Sequence, residues 1–285
     1  MTITGLAADL PDPAAGAAAE LAELDLAPGP GVAVAASAAL ALGCRARLAG
    51  SVGADAMGGV MRTMIGRAGV DVELLRPSGR SRVLIRVAGP RGSHVLCEFA
   101  PGGAPPAFDL AAAIDDADAV LVDGTDVPLQ IAAAERARGR GIPVIADGSE
   151  IREGLGELIG LADVLISSER LATELAPRAE LGAALESLAA MGPRAVVITL
   201  GGAGAIGLHG RQVVECPAFP VDVADPTGAG AVFHGAFVAG LLGALPFVRC
   251  LELAAAAGAL SCSGLGAWSG VPTRDAVLDL VRTRT

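Results

Sequence analysis

Short apolar runs alternate with longer segments of helical period along most of this 285-residue chain. The apolar runs predict buried strands over residues 2–8, 45–52, 119–122, 144–146, 164–167 and 196–200. The longer segments predict helices over residues 32–42, 58–69, 129–139, 151–160, 169–175 and 181–190, with a further helical region over 17–26. Because strands that alternate with helices imply βαβ units, the pattern predicts an α/β fold around a mostly parallel sheet.

One segment departs from this alternation. Residues 82–88 and 93–99 are both strand-like, and the turn sequence Gly-Pro-Arg-Gly lies between them. The pattern therefore predicts a β-hairpin at about residues 80–100. Since no internal repeat or long linker divides the chain, we expect residues 1–285 to form a single α/β domain that carries this hairpin as a small insertion.

Composition and charge exclude several function classes. The formal net charge is −10, with scattered arginines and neither Lys nor Asn, so the chain has no basic stripe for nucleic acid and no lysine-dependent phosphate loop. The five cysteines form no C-x-x-C pair, which favours reduced thiols over a zinc site or a disulfide framework. Residues 226–248 contain no Asp, Glu or Arg, but their Gly, Ala and Pro content favours a buried helix over a membrane span.

The first ten residues lack the basic region of a signal peptide. Together with the cysteine usage, this predicts a cytoplasmic protein. We expect it to have neither a membrane nor a nucleic acid as its partner.

The strongest chemical signal lies at residues 225–231, Asp-Pro-Thr-Gly-Ala-Gly-Ala, which precede a long apolar stretch. A helix that opens at Gly-Ala-Gly presents unpaired backbone N–H groups and the positive end of its dipole, and this arrangement binds anions. Such a site suits a phosphoryl group in transfer, whose negative charge has to be stabilised in place. An ordinary glycine-rich turn before a buried helix explains the same residues, so both interpretations are open at this point.

The segment resembles the C-terminal signature of the ribokinase-like (PfkB) family of carbohydrate kinases, D-[TP]-T-G-A-G-D followed by an apolar helix. In that family the Gly-Ala-Gly amides form the anion hole, a role that the resemblance gives to Gly228, Ala229 and Gly230. The last Asp of the signature is the general base for the sugar hydroxyl, and here Ala231 occupies its position. Because a methyl group accepts no proton, the main departure from the family falls on the catalytic base.

The resemblance covers nearly the whole chain and implies a substrate side. Gly5-x-x-x-Asp9 is similar to the family's first strand, where an Asp binds sugar hydroxyls, and Gly29 falls in the substrate loop. The run G-x-V-G-x-D-x-x-G recurs at residues 50–58. Two positions depart from the family: Pro30 replaces a glycine of the substrate loop, and Val34, a few positions later, replaces a polar residue that is usually Asn.

The resemblance also implies a nucleotide side. Thr199 to Gly204 is similar to the family's T-x-G-x-x-G nucleotide loop. The residues implied to bind ATP are Ser168, Thr199, Gly201 and Gly204. Glu169 is implied for Mg²⁺, although the second acid of the family's N-x-x-E motif is Leu171 here. Asp225 and Thr227 resemble ligands of a monovalent cation such as K⁺, and a simple helix cap is an equally good explanation for both.

Two alternative interpretations involve single motifs. Residues 202–207 match the dinucleotide fingerprint G-x-G-x-x-G, but a strand–turn–strand pattern follows where that fingerprint requires a helix. His234 lies three residues after Ala231 and could share its helix face as a substitute base. The sulfofructose kinases, which the chain resembles in its V-F-H-G-A helix, have this His beside their Asp, so a structural role is favoured.

The sequence thus leads to two hypotheses. The first is an ATP- and Mg²⁺-dependent kinase for a sugar or sugar-like hydroxyl, with the resemblance implying a three-layer ribokinase-like fold and a small β lid. The second is a pseudokinase that binds a nucleotide or metabolite as a regulator, favoured by Ala231, Pro30 and Val34. The family's lids often join two copies, so a homodimer is also an option.

Overall fold

The computed structural model describes residues 1–6, 23–29, 31–89, 92–99, 107–149, 151–177 and 180–284. The chain divides into two compact units with separate sheets. The first unit contains Met1–Ala107, Pro220–Gly235 and Ala257–Asp279, and the second contains Phe108–Phe219, Ala236–Ala256 and Leu280–Thr285. The expectation that the whole chain acts as one domain stays a prediction.

The first unit is built on a small four-stranded sheet. Its elements are β1 (Thr2–Leu6), β2 (Glu23–Ala27), α1 (Val32–Ala41), β3 (Gly50–Val52), α2 (Ala56–Arg67), β4 (Leu75–Pro77), β5 (Val83–Gly89) and β6 (Gly92–Phe99). The sheet has the order β2-β1-β5-β6, with β1 parallel to β5 and antiparallel to β2. β5 and β6 form the predicted antiparallel hairpin, while β3 and β4 make a separate parallel pair.

Small residues let the helices of the first unit approach closely. A side-chain carbon added to Gly235 would lie 2.1 Å from the carbonyl oxygen of Ala35 on α1, so only glycine fits there. Val34 and Ala38, on the same helix, are buried. A hydrophobic cluster of this unit contains Val52 and Ile65, and Trp268 packs against it. The alanine-rich composition of this unit therefore supports close helix packing in place of large aromatic side chains.

The second unit is built on a six-stranded sheet in the order β12-β11-β10-β9-β8-β7. Its elements are α3 (Leu110–Ile114), β7 (Val120–Val122), α4 (Val127–Gly139), β8 (Val144–Gly148), α5 (Leu155–Leu161), β9 (Val164–Ser168), α6 (Glu169–Leu175), α7 (Leu181–Ala189), β10 (Ala195–Thr199), β11 (Ala205–His209) and β12 (Gln212–Cys216). The four strands β7 to β10 are parallel, and β11 and β12 pair antiparallel at one edge.

The parallel strands are buried because helices cover them. Helices α4, α5, α6 and α7 contact β7, β8, β9 and β10, respectively. Leu165, Ile166 and Ile198 are fully buried in these strands, and Leu165 and Ile198 share one hydrophobic core with Leu185 of α7. This burial explains why the strands are nearly continuous apolar runs in the sequence. The predicted α/β architecture, with a mostly parallel sheet, is confirmed.

Three helices complete the chain: α8 (Ala229–Leu242), α9 (Phe247–Ser261) and α10 (Arg274–Arg282). Across the described residues, no helix is both long enough and apolar enough to cross a membrane. The uncharged stretch over residues 226–248 is divided between α8 and the start of α9.

Two predictions of secondary structure are wrong. Of the region predicted as helical over 17–26, the described residues 23–26 belong to strand β2 (Glu23–Ala27), which pairs with β1 along its whole length. The strand predicted over 45–52 is limited to Gly50–Val52, apart from a single bridge between Arg47 and Asp71. In both places long-range pairing, which the local sequence does not contain, decides the outcome.

Candidate active site

Two residues expected on the nucleotide side lie next to each other in the second unit. Ser168 and Thr199 are register partners at the carboxyl ends of the parallel strands β9 and β10. The Thr199 hydroxyl donates a hydrogen bond to the Ser167 carbonyl oxygen at 3.3 Å, and the Ser168 hydroxyl accepts one from the backbone N–H of Leu171 at 3.2 Å. Ligands of α/β folds bind at this carboxyl edge of the sheet.

The glycine-rich loop after β10 is a tight turn. The Leu200 N–H donates to the Gly204 carbonyl at 2.8 Å, and the Gly204 N–H donates to the Gly201 carbonyl at 3.0 Å. Gly204 has a φ of 101°, and a side-chain carbon there would lie 2.1 Å from the Cys216 carbonyl oxygen, so glycine is required. By contrast, no atom lies within 4 Å of the position that a side chain at Gly201 would take. The loop thus holds an open backbone surface at Gly201.

The structure that follows this loop rules out a dinucleotide-binding motif at residues 202–207. The residues after Gly204 form strand β11, from Ala205 to His209, and an antiparallel partner follows. A dinucleotide site needs a helix at this point to receive the pyrophosphate.

The N-x-x-E segment supplies one acidic side chain. Glu169 is the first residue of α6 and is exposed. Leu171 occupies the position of the family's second acid. Its side chain has no group that could bind a cation, and it is fully buried in the hydrophobic core. Throughout the described ranges, no group of three or more His, Cys, Asp or Glu side chains is placed to hold a metal ion. A single carboxylate still fits Mg²⁺, since this ion is usually held by one or two carboxylates together with substrate phosphates.

The start of α8 lies in the first unit. Gly228 has a φ of 88°, and a side-chain carbon there would lie 2.5 Å from Cβ of Ala267. Gly230 has no atom within 4 Å of its side-chain position, and Ala231 is 8% exposed. The first N–H groups of a helix have no partner inside that helix. Glycine is therefore needed at Gly228 for packing, whereas at Gly230 it leaves open space beside these N–H groups.

Asp225 fixes the turn in front of α8. Its side chain is completely buried, and Oδ1 accepts hydrogen bonds from the backbone N–H of Thr227 at 3.0 Å and from its hydroxyl at 2.6 Å. Oδ2 accepts a bond from the Gly266 N–H at 2.9 Å. These three hydrogen bonds explain Asp225 and Thr227 as residues that stabilise the turn, and this explanation does not require a bound cation.

His234 contacts the same turn from within α8. Its side chain is 3% exposed, and Nδ1 lies 2.6 Å from the Gly230 carbonyl oxygen. Because a carbonyl oxygen only accepts, Nδ1 donates in this contact. His234 thus steadies the peptide group that joins Gly230 to Ala231, in keeping with a structural role.

The substrate side is described only in part. Asp9 and Pro30 lie outside the described residues. Gly29 has a φ of 105°, which favours glycine, and Val34 is fully buried. At position 34, where the family has a polar residue, the chain therefore has a core residue.

Sequence reasoning missed two polar residues of the small sheet, Thr4 and Asp25. They are register partners on β1 and β2, and Asp25 accepts a hydrogen bond from the Ser269 hydroxyl at 2.8 Å. The alternation Glu-Leu-Asp-Leu over residues 23–26 is a strand signal that could have revealed them. The high helix propensity of the alanine-rich residues before it favoured the opposite prediction.

The side chains of four cysteines are described. Cys44, Cys216, Cys250 and Cys262 are free thiols. Burial raises the pKa of each of them, that of Cys250 to about 11. A raised pKa keeps a thiol protonated and unreactive at neutral pH.

Comparison with known proteins identifies the family of this chain. The sequence profile of the pfkB family carbohydrate kinases matches residues 19–274. Ribokinase of Bacillus subtilis is 30% identical over 249 residues, which cover 84% of this chain and 83% of that protein. A crystal structure of a protein assigned as a ribokinase from Agrobacterium tumefaciens has a TM-score of 0.90 at 26% identity, covering 99% of this chain and 94% of that one.

Arabidopsis thaliana ribokinase, solved in complex with ribose and ATP, has a TM-score of 0.83 at 24% identity and covers 99% of this chain and 95% of its own. These matches extend over both units and agree with the ribokinase-like α/β fold. The chain belongs to the pfkB family of carbohydrate kinases.

Proposed function

We propose that this protein carries the family's site for ATP-dependent phosphorylation of a sugar or sugar-like hydroxyl, in a form whose catalytic base is replaced by Ala231. The observation that carries the proposal is the start of α8. There Gly230 leaves open space beside helix N–H groups that have no partner inside the helix. This is the arrangement that a phosphoryl group in transfer requires.

Each remaining residue has a proposed role. The amides of Gly228 to Ala231 hold the transferring phosphoryl group. Thr199, Gly201, Gly204 and Ser168 line the ATP site, where the open backbone at Gly201 leaves room for the nucleotide. Asp9 and Gly29 bind the sugar. Glu169 holds Mg²⁺, which when bound neutralises phosphate charge.

Ala231 determines how fast such a site can work. A general base contributes typically about 10²–10⁴-fold to rate. Positioning and electrostatic stabilisation carry most of phosphoryl transfer, and neither needs the side chain of residue 231. We therefore expect slow residual turnover from this chain and a large gain when a carboxylate is restored.

A pseudokinase that binds nucleotide without phosphorylating a sugar is the second candidate. The observations that favour it are the core positions of Val34 and Leu171, both fully buried where the family has polar residues. Under this alternative the nucleotide loop keeps its function, and the substrate side serves the fold alone.

Three finer proposals concern the substrate, cation and location. The V-F-H-G-A segment resembles that of the sulfofructose kinases without fixing the substrate, and Arg82, Arg86 and Arg91 are the candidates for binding an anionic group. Three hydrogen bonds to its carboxylate explain Asp225 as part of a structural turn, and a K⁺ ion at this residue is the alternative. The free cysteines support a reducing, cytoplasmic location.

The test is an ATP-consumption screen with D-ribose, D-fructose, adenosine and D-fructose 6-phosphate, run on the protein and on Ala231→Asp. Ala231→Asn, which has a similar size but no basic oxygen, is the matched control. A substrate consumed about 10²–10⁴-fold faster by the Asp variant than by the Asn variant supports the kinase. If all three proteins bind ATP yet none consumes it with any substrate, the pseudokinase replaces the kinase as the conclusion.

A further inference from the structure

Two buried polar atoms in the small sheet have no hydrogen-bond partner. Thr4 and Asp25 are register partners on β1 and β2, so their side chains lie on the same face. Thr4 is 1% exposed, and neither its Oγ1 nor Oδ2 of Asp25 has a partner among the described residues. Since buried polar atoms nearly always have partners, this pair indicates a missing polar group.

The surroundings of Asp25 connect it to the proposed anion site. Its Oδ1 accepts a hydrogen bond from the Ser269 hydroxyl at 2.8 Å, which fixes the carboxylate. Its Oδ2 lies against Gly266, where an added side-chain carbon would come within 1.9 Å. The Gly266 N–H in turn donates to Asp225, in the turn before α8. One glycine thus separates the Asp25 carboxylate from the residue that fixes the proposed phosphoryl site.

The pattern of β2 is inverted for a strand of a soluble protein. Leu24 and Leu26 are 64% and 38% exposed, while Asp25 and Ala27 lie on the opposite face, where Ala27 is buried. A sheet that covers only a hydrophobic core would place the leucines inward and the acid outward. A charged residue on the inner face is explained if that face meets a polar ligand.

The available chemistry selects the ligand group. A carboxylate oxygen only accepts hydrogen bonds, whereas a threonine hydroxyl donates and accepts. A hydroxyl group bound between these two residues would donate to Asp25 Oδ2 and accept from Thr4. A divalent metal ion would need more oxygen ligands than this pair offers. Within the described part of the chain, no acidic group of three or more supplies them.

We propose that Thr4 and Asp25 form a subsite that binds one hydroxyl group of the substrate. This inference rests on the proposed function, because it assigns part of the recognition of the same sugar or sugar-like molecule. It adds two residues to the proposed substrate side, in addition to Asp9 and Gly29. The competing occupant is a single buried water molecule, which would serve the fold alone.

Calorimetric titration of the protein with D-ribose, D-fructose, adenosine and D-fructose 6-phosphate tests the subsite. We expect at least one of them to bind, with affinity about 10- to 100-fold lower in Asp25→Ala and about 3- to 10-fold lower in Thr4→Val. Glu23→Ala removes an exposed acid from the same strand and should leave the affinity unchanged. The singly deoxygenated analogue that lacks the bound hydroxyl should bind all of these proteins equally weakly.

Thermal unfolding supplies an independent readout. Thr4→Val removes a buried hydroxyl without a partner, so the variant should melt at an equal or higher temperature while binding the ligand less well. A purely structural hydroxyl, bonded to a buried water, would give the reverse result, a lower melting temperature with unchanged affinity. That result, or the absence of binding by all four compounds, overturns the subsite.

The proposed subsite and the proposed kinase activity can be disproved independently of each other. Placed in the Ala231→Asp background, Asp25→Ala should raise KM for the substrate more than it lowers kcat. An unchanged KM overturns the subsite and leaves the kinase standing. Conversely, ligand binding that depends on Asp25 in a protein that never consumes ATP, even with Ala231→Asp, supports the subsite and removes the kinase.

Discussion

Asp55 holds Ser81 with both of its carboxylate oxygens. Oδ2 accepts the Ser81 backbone N–H at 2.8 Å, and Oδ1 accepts the Ser81 hydroxyl at 2.6 Å together with the Gly58 N–H at 2.9 Å. Asp55 therefore caps α2 and at the same time connects it to Ser81, two residues before the start of hairpin β5–β6. The contact explains two glycines of the family's G-x-V-G-x-D-x-x-G run, because side chains at Gly53 or Gly58 would overlap this junction.

The Asp55 junction should make the stability of the protein depend on acid. Hydrogen bonds from the Ser81 side chain, the Ser81 backbone and the Gly58 backbone lower the pKa of Asp55 to about 2. A lowered folded-state pKa gives stability that is complete above the unfolded value, about 3.9, and is lost as the pH falls towards 2. Asp55→Asn should thus destabilise the protein at pH 7, and the difference should disappear between about pH 4 and pH 2.

Urea unfolding of the protein and of Asp55→Asn across this pH range measures the effect. Asp118→Asn changes an exposed acid and serves as the control for net charge. A difference between the parent and Asp55→Asn that stays constant down to pH 2 would contradict the role given to the carboxylate.

The sequence could predict those elements whose pattern is local. Helix Glu169–Leu175 and the strands β9 and β10 lie where their apolar runs place them, because burial on both faces leaves a continuous hydrophobic signal. Strand β2 could not be predicted in the same way, since its formation depends on pairing with β1, which is distant in sequence. The glycine-rich sequence at the start of α8 was enough to predict an anion site. It could not show that Gly228 is needed for packing and Gly230 is not, because the packing contact of Gly228 is with Ala267, which is distant in sequence.

These two glycines should respond in opposite ways to alanine. Gly228→Ala forces a side chain into the left-handed region and against Ala267, so we expect destabilisation of about 1–3 kcal/mol or more. Gly230→Ala meets no atom and removes a flexible residue from a helix, so it should leave stability unchanged or raise it by about 0.5–1 kcal/mol. In the Ala231→Asp background, however, the added methyl group should obstruct the phosphoryl site and lower kcat.

Chemical unfolding and ATP turnover, measured on the same preparations, separate the two effects. A Gly230→Ala protein that is stable and fully active in that background would show that the space beside Gly230 is not used for phosphate.

The exposure of Leu24 and Leu26 leads to a prediction about the oligomeric state of the protein. Both are exposed on one face of β2, at the edge of the small sheet, where neighbouring apolar side chains commonly mark a contact with another protein. We expect a homodimer that buries this face, and Leu24→Glu should convert it to a monomer. Sedimentation velocity at micromolar concentration measures the change, with Glu23→Gln as a control on the same strand. A monomeric parent protein would contradict the prediction.

Arg284 should stabilise the segment that packs against the proposed nucleotide loop, residues 199–204. Its guanidinium donates to the carbonyl oxygens of Pro217, at 2.6 Å, and Ala218, and its Cζ lies 3.5 Å from the centre of the Phe219 ring. This segment is the one against which Gly204 packs without room for a side chain. Loss of the arginine should therefore loosen the support of the loop without removing any residue proposed to contact ATP.

We expect Arg284→Ala to lower the stability by about 1 kcal/mol and to weaken ATP binding several-fold. Arg284→Lys should recover little of either, because a single ammonium cannot span two carbonyls and stack flat on a ring as a guanidinium does. Calorimetric titration with ATP measures the affinity, and Arg274→Ala, which removes an exposed arginine from the start of α10, controls for charge. If Arg284→Lys binds ATP as tightly as the parent, the charge alone is sufficient and the planar contact carries no weight; if Arg284→Ala also does, the loop needs no support from the C-terminus.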